Sequence, residues 1–461
     1  MKKHSILSLC LFLLLPGLVT AQDPWHLSLD DCKQIALQNN NEMRKAQLDI
    51  KAAKALQGEV AANFFPNASL SGFAFHAFNP LLQVKATDVI GNDDLGNAIQ
   101  SLWQSLADAN GGTASLDFLQ FFQHYGITAV QPVFAGGRIV NGFRYSKLAL
   151  EAASLKAEMA GRDVVEEVEK NYYGVLSLIE KEKYLNSLQE LLDSLERVAD
   201  VALQQGVIVR SDKMMLENKK LELQNGRVKL RSGMRLMKMN LLGSIGCKYR
   251  VMDLDNYVFT GPGAENIPSP EEVYVDENEV VATLTETRLL DLQVQAKKFE
   301  KKLTLGSTLP QIGIGVNYGY TRIFTTNDGR WNGMVFAAFT VPLTDWAKNS
   351  YKLQRQQTEI DKAEYDRDHL GEMLVLQQRK FFLELTSAWD ALALARKQKE
   401  YGAYQYEQAR VQYEAGYTTT TELLQAYSYL AERVDAEADA LSDYLTALQV
   451  YRGRLPKKEM N

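Results

Sequence analysis

The sequence predicts a mainly α-helical chain with a small β component, built twice over from one structural unit. Three observations predict it. The 11 prolines leave 133–261, 271–309 and 343–455 free of proline, so long helices are possible there. Asn39 to Pro66 lies over Thr283 to Pro310 at an offset of 244, superposing Glu42 on Glu286, Arg44 on Arg288, Leu48 on Leu292 and Ala52 on Ala296. After Pro310 the apolar period changes from that of a helix to that of a strand.

The chain opens with Lys2, Lys3 and His4, an apolar run from Ile6 to Leu15, Pro16-Gly17, and the small-residue site Val19-Thr20-Ala21. This is the pattern of a secretory signal peptide over 1–21, with the mature chain starting at Gln22. Cys10 lies inside the signal and does not precede a cleavage point, so no lipid attachment is expected. No later stretch reaches the roughly 18 consecutive apolar residues of a membrane-spanning helix. Lys2 and Lys3 fall within the signal, so 49 of the 51 basic residues remain against 57 acidic ones, a net charge of −8. That balance argues against a nucleic-acid partner. His26, His76, His124 and His369 are scattered, and no metal site or cofactor is expected. No nucleophile elbow, Cys-His constellation or phosphate loop suggests an enzyme.

The first repeat, 22–245, begins with a helix near 30–62 and continues into strands near Ala68 to Phe78 and Tyr125 to Val133. Pro132 over Pro342 and Gly206 over Gly416 share an offset of 210, so the first copy carries an insertion of 34 residues between its strands. This insertion falls within Asn79 to His124, where Ala98, Leu102, Trp103, Leu106 and Ala109 suggest a short amphipathic helix ending at Gly111-Gly112. The long helix that follows spans 74 residues from Pro132 to Gly206, about 110 Å at the α-helical rise. The helices near 30–62 and 207–245 together match its length, which suggests that they stack end to end beside it. Leu185, Leu188, Leu192, Leu195, Ala199 and Ala202 form a 3-4-3 seam, continued on the returning helix by Leu223, Leu230, Met234, Met237 and Leu241. An ordinary antiparallel pair would show the same stripe.

Residues 246–276 read as a connector, 277–455 as the second repeat and 456–461 as a tail. In the second repeat Ile312, Ile314, Val316, Tyr318 and Tyr320 alternate with polar residues or glycine, as in a lipid-facing barrel strand, and Met334 to Val341 supplies its partner. Tyr318, Tyr320, Phe324 and Trp331 cluster where such a pair would meet the outer interface. Four strands cannot close a barrel, and lipid tolerates no open edge, so several chains are needed. Three chains would give twelve strands.

The segments ALQNNNEMRKAQLDIKAAKALQGEVAANFFPNASLSG from Ala36, QPVFAGGRIVNGFRYSKLALEA from Gln131, VALQQGVIVRSD from Val201 and YEAGYTTTTELLQA from Tyr413 resemble, in order and spacing, the TolC family of outer-membrane efflux proteins. The resemblance implies a homotrimeric channel-tunnel, mainly α with membrane β. A shared 12-stranded outer-membrane barrel, four strands per chain, would continue into an α-helical barrel through the periplasm, with 246–277 in an equatorial belt. It also implies a passive exit duct that serves an inner-membrane pump through a periplasmic adaptor, for efflux or type I secretion. The helices alone would also permit a periplasmic coiled-coil scaffold without a pore.

In this family the glycine turns are the adaptor-docking tips, here Gly206, Val207, Ile208 and Asp212 in one and Gly416, Tyr417 and Glu422 in the other. Glycine suits a helix C-cap because it accepts positive φ. Bare Val207, Ile208 and Tyr417 would invite a partner. The family's pore constriction maps to Glu422 and Gln425. The second is not acidic, and the family's arginine latch is Thr418 here. Thr419 and Glu422 also fit a capping box, a duty compatible with facing a pore. Cys32 and Cys247 fall near the joint of the stacked short helices, where a disulfide would tie them. Two separately buried thiols are the alternative.

Overall fold

The computed structural model describes residues 25–78, 82–85, 101, 105, 115–118, 121–206, 208–260, 267–322, 329–342 and 345–455. The signal peptide, Phe324 and nearly all of the insertion, with its amphipathic stretch, lie outside the described residues. In chain order the elements are β1 (Trp25–Leu27), α1 (Leu29–Asn39), α2 (Asn41–Ala62), β2 (Asn67–His76), β3 (Leu82–Lys85), β4 (Ser115–Phe118), β5 (Phe121–Ala135), α3 (Arg138–Gln204) and α4 (Arg210–Ser244). There follow β6 (Tyr257–Phe259), α5 (Glu277–Thr283), α6 (Thr285–Ser307), β7 (Gln311–Arg322), β8 (Arg330–Thr340), α7 (Asp345–Glu414) and α8 (Thr420–Arg452). Two compact units form, one from residues up to 48 with 155–288 and 369 onward, the other from 49–154 with 289–368.

The second unit holds an antiparallel sheet in the order β2-β5-β7-β8. Its register sets Leu70 beside Ile127, Ile127 beside Tyr318, and Tyr318 beside Gly333, with Val316 beside Val335 and Ile312 beside Phe339. Because side chains alternate across a strand, these residues share one face. Leu70, Ile127, Ile314, Tyr318, Val335 and Phe339 are all exposed on it. The apolar side of β7 thus continues onto its neighbours through Leu70, Ile127, Val335 and Phe339. Pro132, which has no N–H to give, stands beyond the last residue paired with β2, where a bulge at Val133 shifts the register against β7. The strand leaves the sheet at Gly136, whose φ is 62° and whose missing Cβ would lie 2.1 Å from the Gly306 carbonyl oxygen. Only glycine fits there.

In the first unit the expected single helix near 30–62 is two. Ser28 caps α1 reciprocally with Asp31, and Asn40, with ψ of 141°, breaks the helix. The Asn40 side chain then accepts from the Glu42 amide at 2.7 Å to start α2 and donates to the Ser244 carbonyl at 2.7 Å. The same break recurs 244 residues later at Leu284, between α5 and α6. Gly246, at φ 71°, abuts the backbone of Asn39. The end of α4 therefore meets the α1–α2 break, as end-to-end stacking requires.

A core of Cys32, Ala36, Val164, Val168, Tyr172, Leu241, Leu242, Ile245, Leu254, Tyr257 and Phe259 surrounds this joint. β1 pairs in parallel with β6, and the Tyr172 hydroxyl reaches the carbonyls of Leu27 at 3.0 Å and Thr260 at 2.7 Å. Lys238, buried beneath, donates to the carbonyls of Leu254 and Tyr257 at 3.2 and 2.8 Å. The seam of α3 is buried at Leu188, Leu192, Leu195 and Ala199, but it does not pack on α4 alone. Tyr406 of α7 and Leu423, Leu424 and Tyr427 of α8 share the cluster with Leu216 of α4. The stripe is a meeting place for both repeats because four helices converge on it.

Candidate docking tips and constriction

Both tips begin with a helix closed by a left-handed glycine. Gly206 has φ 75° and Gly416 φ 77°, and nothing lies within 4 Å of a Cβ added at either. Backbone conformation, rather than crowding, asks for glycine. At the second tip the Gly416 amide donates to Tyr413 O at 3.0 Å and the Tyr417 amide to Gln412 O at 2.8 Å, which is a Schellman closure. At the first, Gly206 donates to Leu203 O at 3.1 Å. Val207 lies outside the described residues.

The helices that return from the tips start three residues beyond each glycine, at Val209 and Thr419. At the second tip Thr419 Oγ1 accepts from the Glu422 amide at 3.2 Å, and Glu422 Oε2 accepts from the Thr419 amide at 2.9 Å. Thr418 donates a further hydrogen bond to the same Oε2. The hydroxyl of Thr418, then the amide and hydroxyl of Thr419, hold the Glu422 carboxyl below the usual carboxylate range, so it is ionised at neutral pH. All these bonds fall on one oxygen. The capping box and an outward carboxylate therefore coexist, and Glu422 and Gln425, three residues apart on α8, are both exposed. Among the described side chains, Gln425 lines a shallow groove between α4 and α8 together with Met215, Lys219, Thr421, Leu424 and Tyr429, and Glu422 does not.

The first tip has half of this arrangement. Asp212 Oδ2 accepts from the Val209 amide at 3.2 Å, but Val209 offers no side-chain acceptor in return. The expectation that Ile208 stands bare is corrected: Ile208 is half-buried against the shared cluster behind the tip. It folds inward because the neighbouring tyrosines and leucines offer apolar surface, leaving Val209 at 62% exposure and Tyr417 at 86% as the projecting groups. Met214 is also exposed, and the Met215 sulfur stands 4.0 Å from the Thr421 hydroxyl, so the structure brings the two tips side by side.

Behind them is a feature that sequence reasoning missed. The hydroxyls of Tyr184, Tyr406 and Tyr427 are buried and have no hydrogen-bond partner among the described residues. Burial pushes Tyr406 up to about 12 and raises the other two as well. The only sequence signal was tyrosine recurring on apolar helical stripes.

Of the two alternatives for the cysteines, the structure has the unbridged one. Cys32 and Cys247 are free thiols, although both belong to the core around the joint. Burial holds the Cys32 thiol protonated, up to about 12, so the thiolate that disulfide exchange needs is suppressed there. Among the described residues, no group of His, Cys, Asp and Glu could hold a metal ion, and no helix is long and apolar enough to cross a membrane.

Comparison with known proteins gives a consistent result. Residues 291–450 match the family of outer membrane efflux proteins, so the resemblance read from the sequence holds. The fold superposes on the Campylobacter jejuni CmeC outer membrane channel with a TM-score of 0.69 at 14% identity, covering 94% of this chain and 87% of that one. The Vibrio cholerae outer membrane protein VceC gives 0.68 at 11%, covering 92% and 95%. The open state of the Neisseria gonorrhoeae MtrE outer membrane channel gives 0.64 at 14%, covering 92% and 88%. At these identities the likeness establishes the fold. No protein of curated function matches the sequence.

Proposed function

We propose that this chain, whose residues 291–450 match the outer membrane efflux proteins and whose fold is that of outer-membrane channels, is the passive exit duct of a tripartite efflux or type I secretion system. The observation that carries the reading is the four-stranded sheet. Most of one face is apolar and exposed, its polar residues being His76, Gln123, Gln131 and Arg322, and among the described residues β2 and β8 each keep an unpaired edge. Such a sheet suits lipid on one side, but an open edge in lipid leaves backbone groups without partners. Three copies pairing β2 with a neighbour's β8 close twelve strands, an even number within the range of outer-membrane barrels. The long helices α3 and α7, with their stacked partners, then line the duct through the periplasm, and the signal peptide supplies the route there.

The tips are the docking points for a periplasmic adaptor that couples the duct to an inner-membrane pump. Their exposed apolar groups, Val209, Met214 and Tyr417, support this. Three copies of Glu422 make a negative ring at the constriction, which favours cations there.

The test replaces each tip glycine by proline, which cannot adopt positive φ. Gly206→Pro and Gly416→Pro should insert in the outer membrane yet fail to export and fail to crosslink to the adaptor. Normal export by both would remove the tips from docking. A purified protein that stays soluble without detergent would favour the pore-free periplasmic scaffold instead.

A further inference from the structure

The second face of the sheet, opposite the apolar one, carries an ordered group of rings. The register pairs Phe73 with His124 and Phe75 with Phe122, which places all four side chains on that face at the end of the sheet away from the helices. Phe75 stacks on Phe122 with ring centroids 5.7 Å apart, and Phe73 lies 5.8 Å from Phe75 and 6.2 Å from Phe122. Phe73 nonetheless remains 60% exposed.

The imidazole beside them is held in place. His124 Nδ1 is 2.9 Å from Thr321 Oγ1 and Nε2 is 3.3 Å from Asn317 Nδ2, while Asn317 donates to Thr128 Oγ1 at 2.7 Å. The ring rests on the paired glycines Gly126 and Gly319, where an added Cβ would come within 2.9 Å of it. The backbone is thus cleared to seat the ring. The four strands contain no aspartate or glutamate, and exposed Arg330 shares the face and the end of the sheet with His124 through its pairing with Thr321.

We infer that this face is a cargo-contact surface inside the barrel, selective for aromatic anions. The inference rests on the channel reading, which makes this face the lumen. Rings offer stacking area to an aromatic group, and Arg330, with no carboxylate on the strands, offers charge complementarity to a negative one. A water-filled lumen with no such task would be lined by polar groups alone.

The test is single-channel recording of the purified protein in planar bilayers, with naphthalene-2-sulfonate as probe, butane-1-sulfonate as the anion without a ring, and naphthylmethylammonium as the ring of opposite charge. Naphthalene-2-sulfonate should interrupt the current for longer than either control. Replacing Phe73, Phe75 and Phe122 together by Ser should shorten those interruptions about tenfold while leaving the open conductance within a factor of about two. Should that variant not assemble, Arg330→Gln must shorten the naphthalene-2-sulfonate events in its place. A conducting channel in which the three probes behave alike, or in which the assembled variants leave the events unchanged, would overturn the inference and leave the channel standing. A protein that never conducts would overturn both.

Discussion

At the two tips a single side chain separates a full capping box from half of one. Thr419 and Glu422 exchange both bonds, whereas the Val209 amide donates to Asp212 and its side chain accepts nothing in return. Val209→Thr should therefore complete the first tip, stabilising the start of α4 by about 0.5–1 kcal/mol and slowing amide exchange at Asp212 several-fold. Unchanged exchange would mean that the half box already suffices. The second tip should respond to pH. The Glu422 carboxyl is depressed by its bonds to Thr418 and Thr419, so the stability it confers is complete above its unfolded value of about 4.3 and is lost as pH falls through the lower folded value. Exchange in the first turn of α8, corrected for intrinsic rate, should rise on acidification through that window. Glu422→Gln should show no such rise. The capping role of Glu422 was legible because Thr-x-x-Glu is a local pattern. The inward turn of Ile208 was not, since it depends on tyrosines nearly two hundred residues away.

Among the elements, what could be read from sequence was whatever repeats or alternates. Proline-free tracts, the 244-residue offset and the β7 alternation located helices and strands close to their observed ends. The break at Asn40 escaped notice because asparagine there is helix-compatible by spacing and acts through a distant carbonyl, that of Ser244. The partners of the α3 seam were equally hidden, because a heptad stripe states that something packs on it and not which helix. Glycines separate into two kinds by the same reasoning. Gly416→Ala meets open space and only the left-handed penalty, about 1–2 kcal/mol, and should still yield a folded channel. Gly306→Ala would place its Cβ 2.5 Å from the Gly136 carbonyl oxygen and 2.7 Å from Arg138 Cγ, and should abolish the heat-modifiable assembled form. Equal yields of the two variants on unheated gels would refute this ranking.

For the whole molecule, the proposed channel reading turns on the sheet. Its four strands have one largely apolar face, one face that seats rings and polar groups, and two edges that nothing among the described residues closes. The count of strands was available from sequence, and with it the need for further copies. Which residues meet across the edges was not, since register between chains depends on backbone pairing that no single chain contains. The tyrosines behind the tips, with three hydroxyls lacking partners, were beyond sequence reasoning for a related reason: satisfaction of a buried group is a property of its surroundings. Whether identical chains close one barrel is decided by the mass of the mature protein extracted in mild detergent, measured by native mass spectrometry. Three chains per particle are expected, collapsing to one only on heating. A stable single chain, or a particle of two or four, would contradict it.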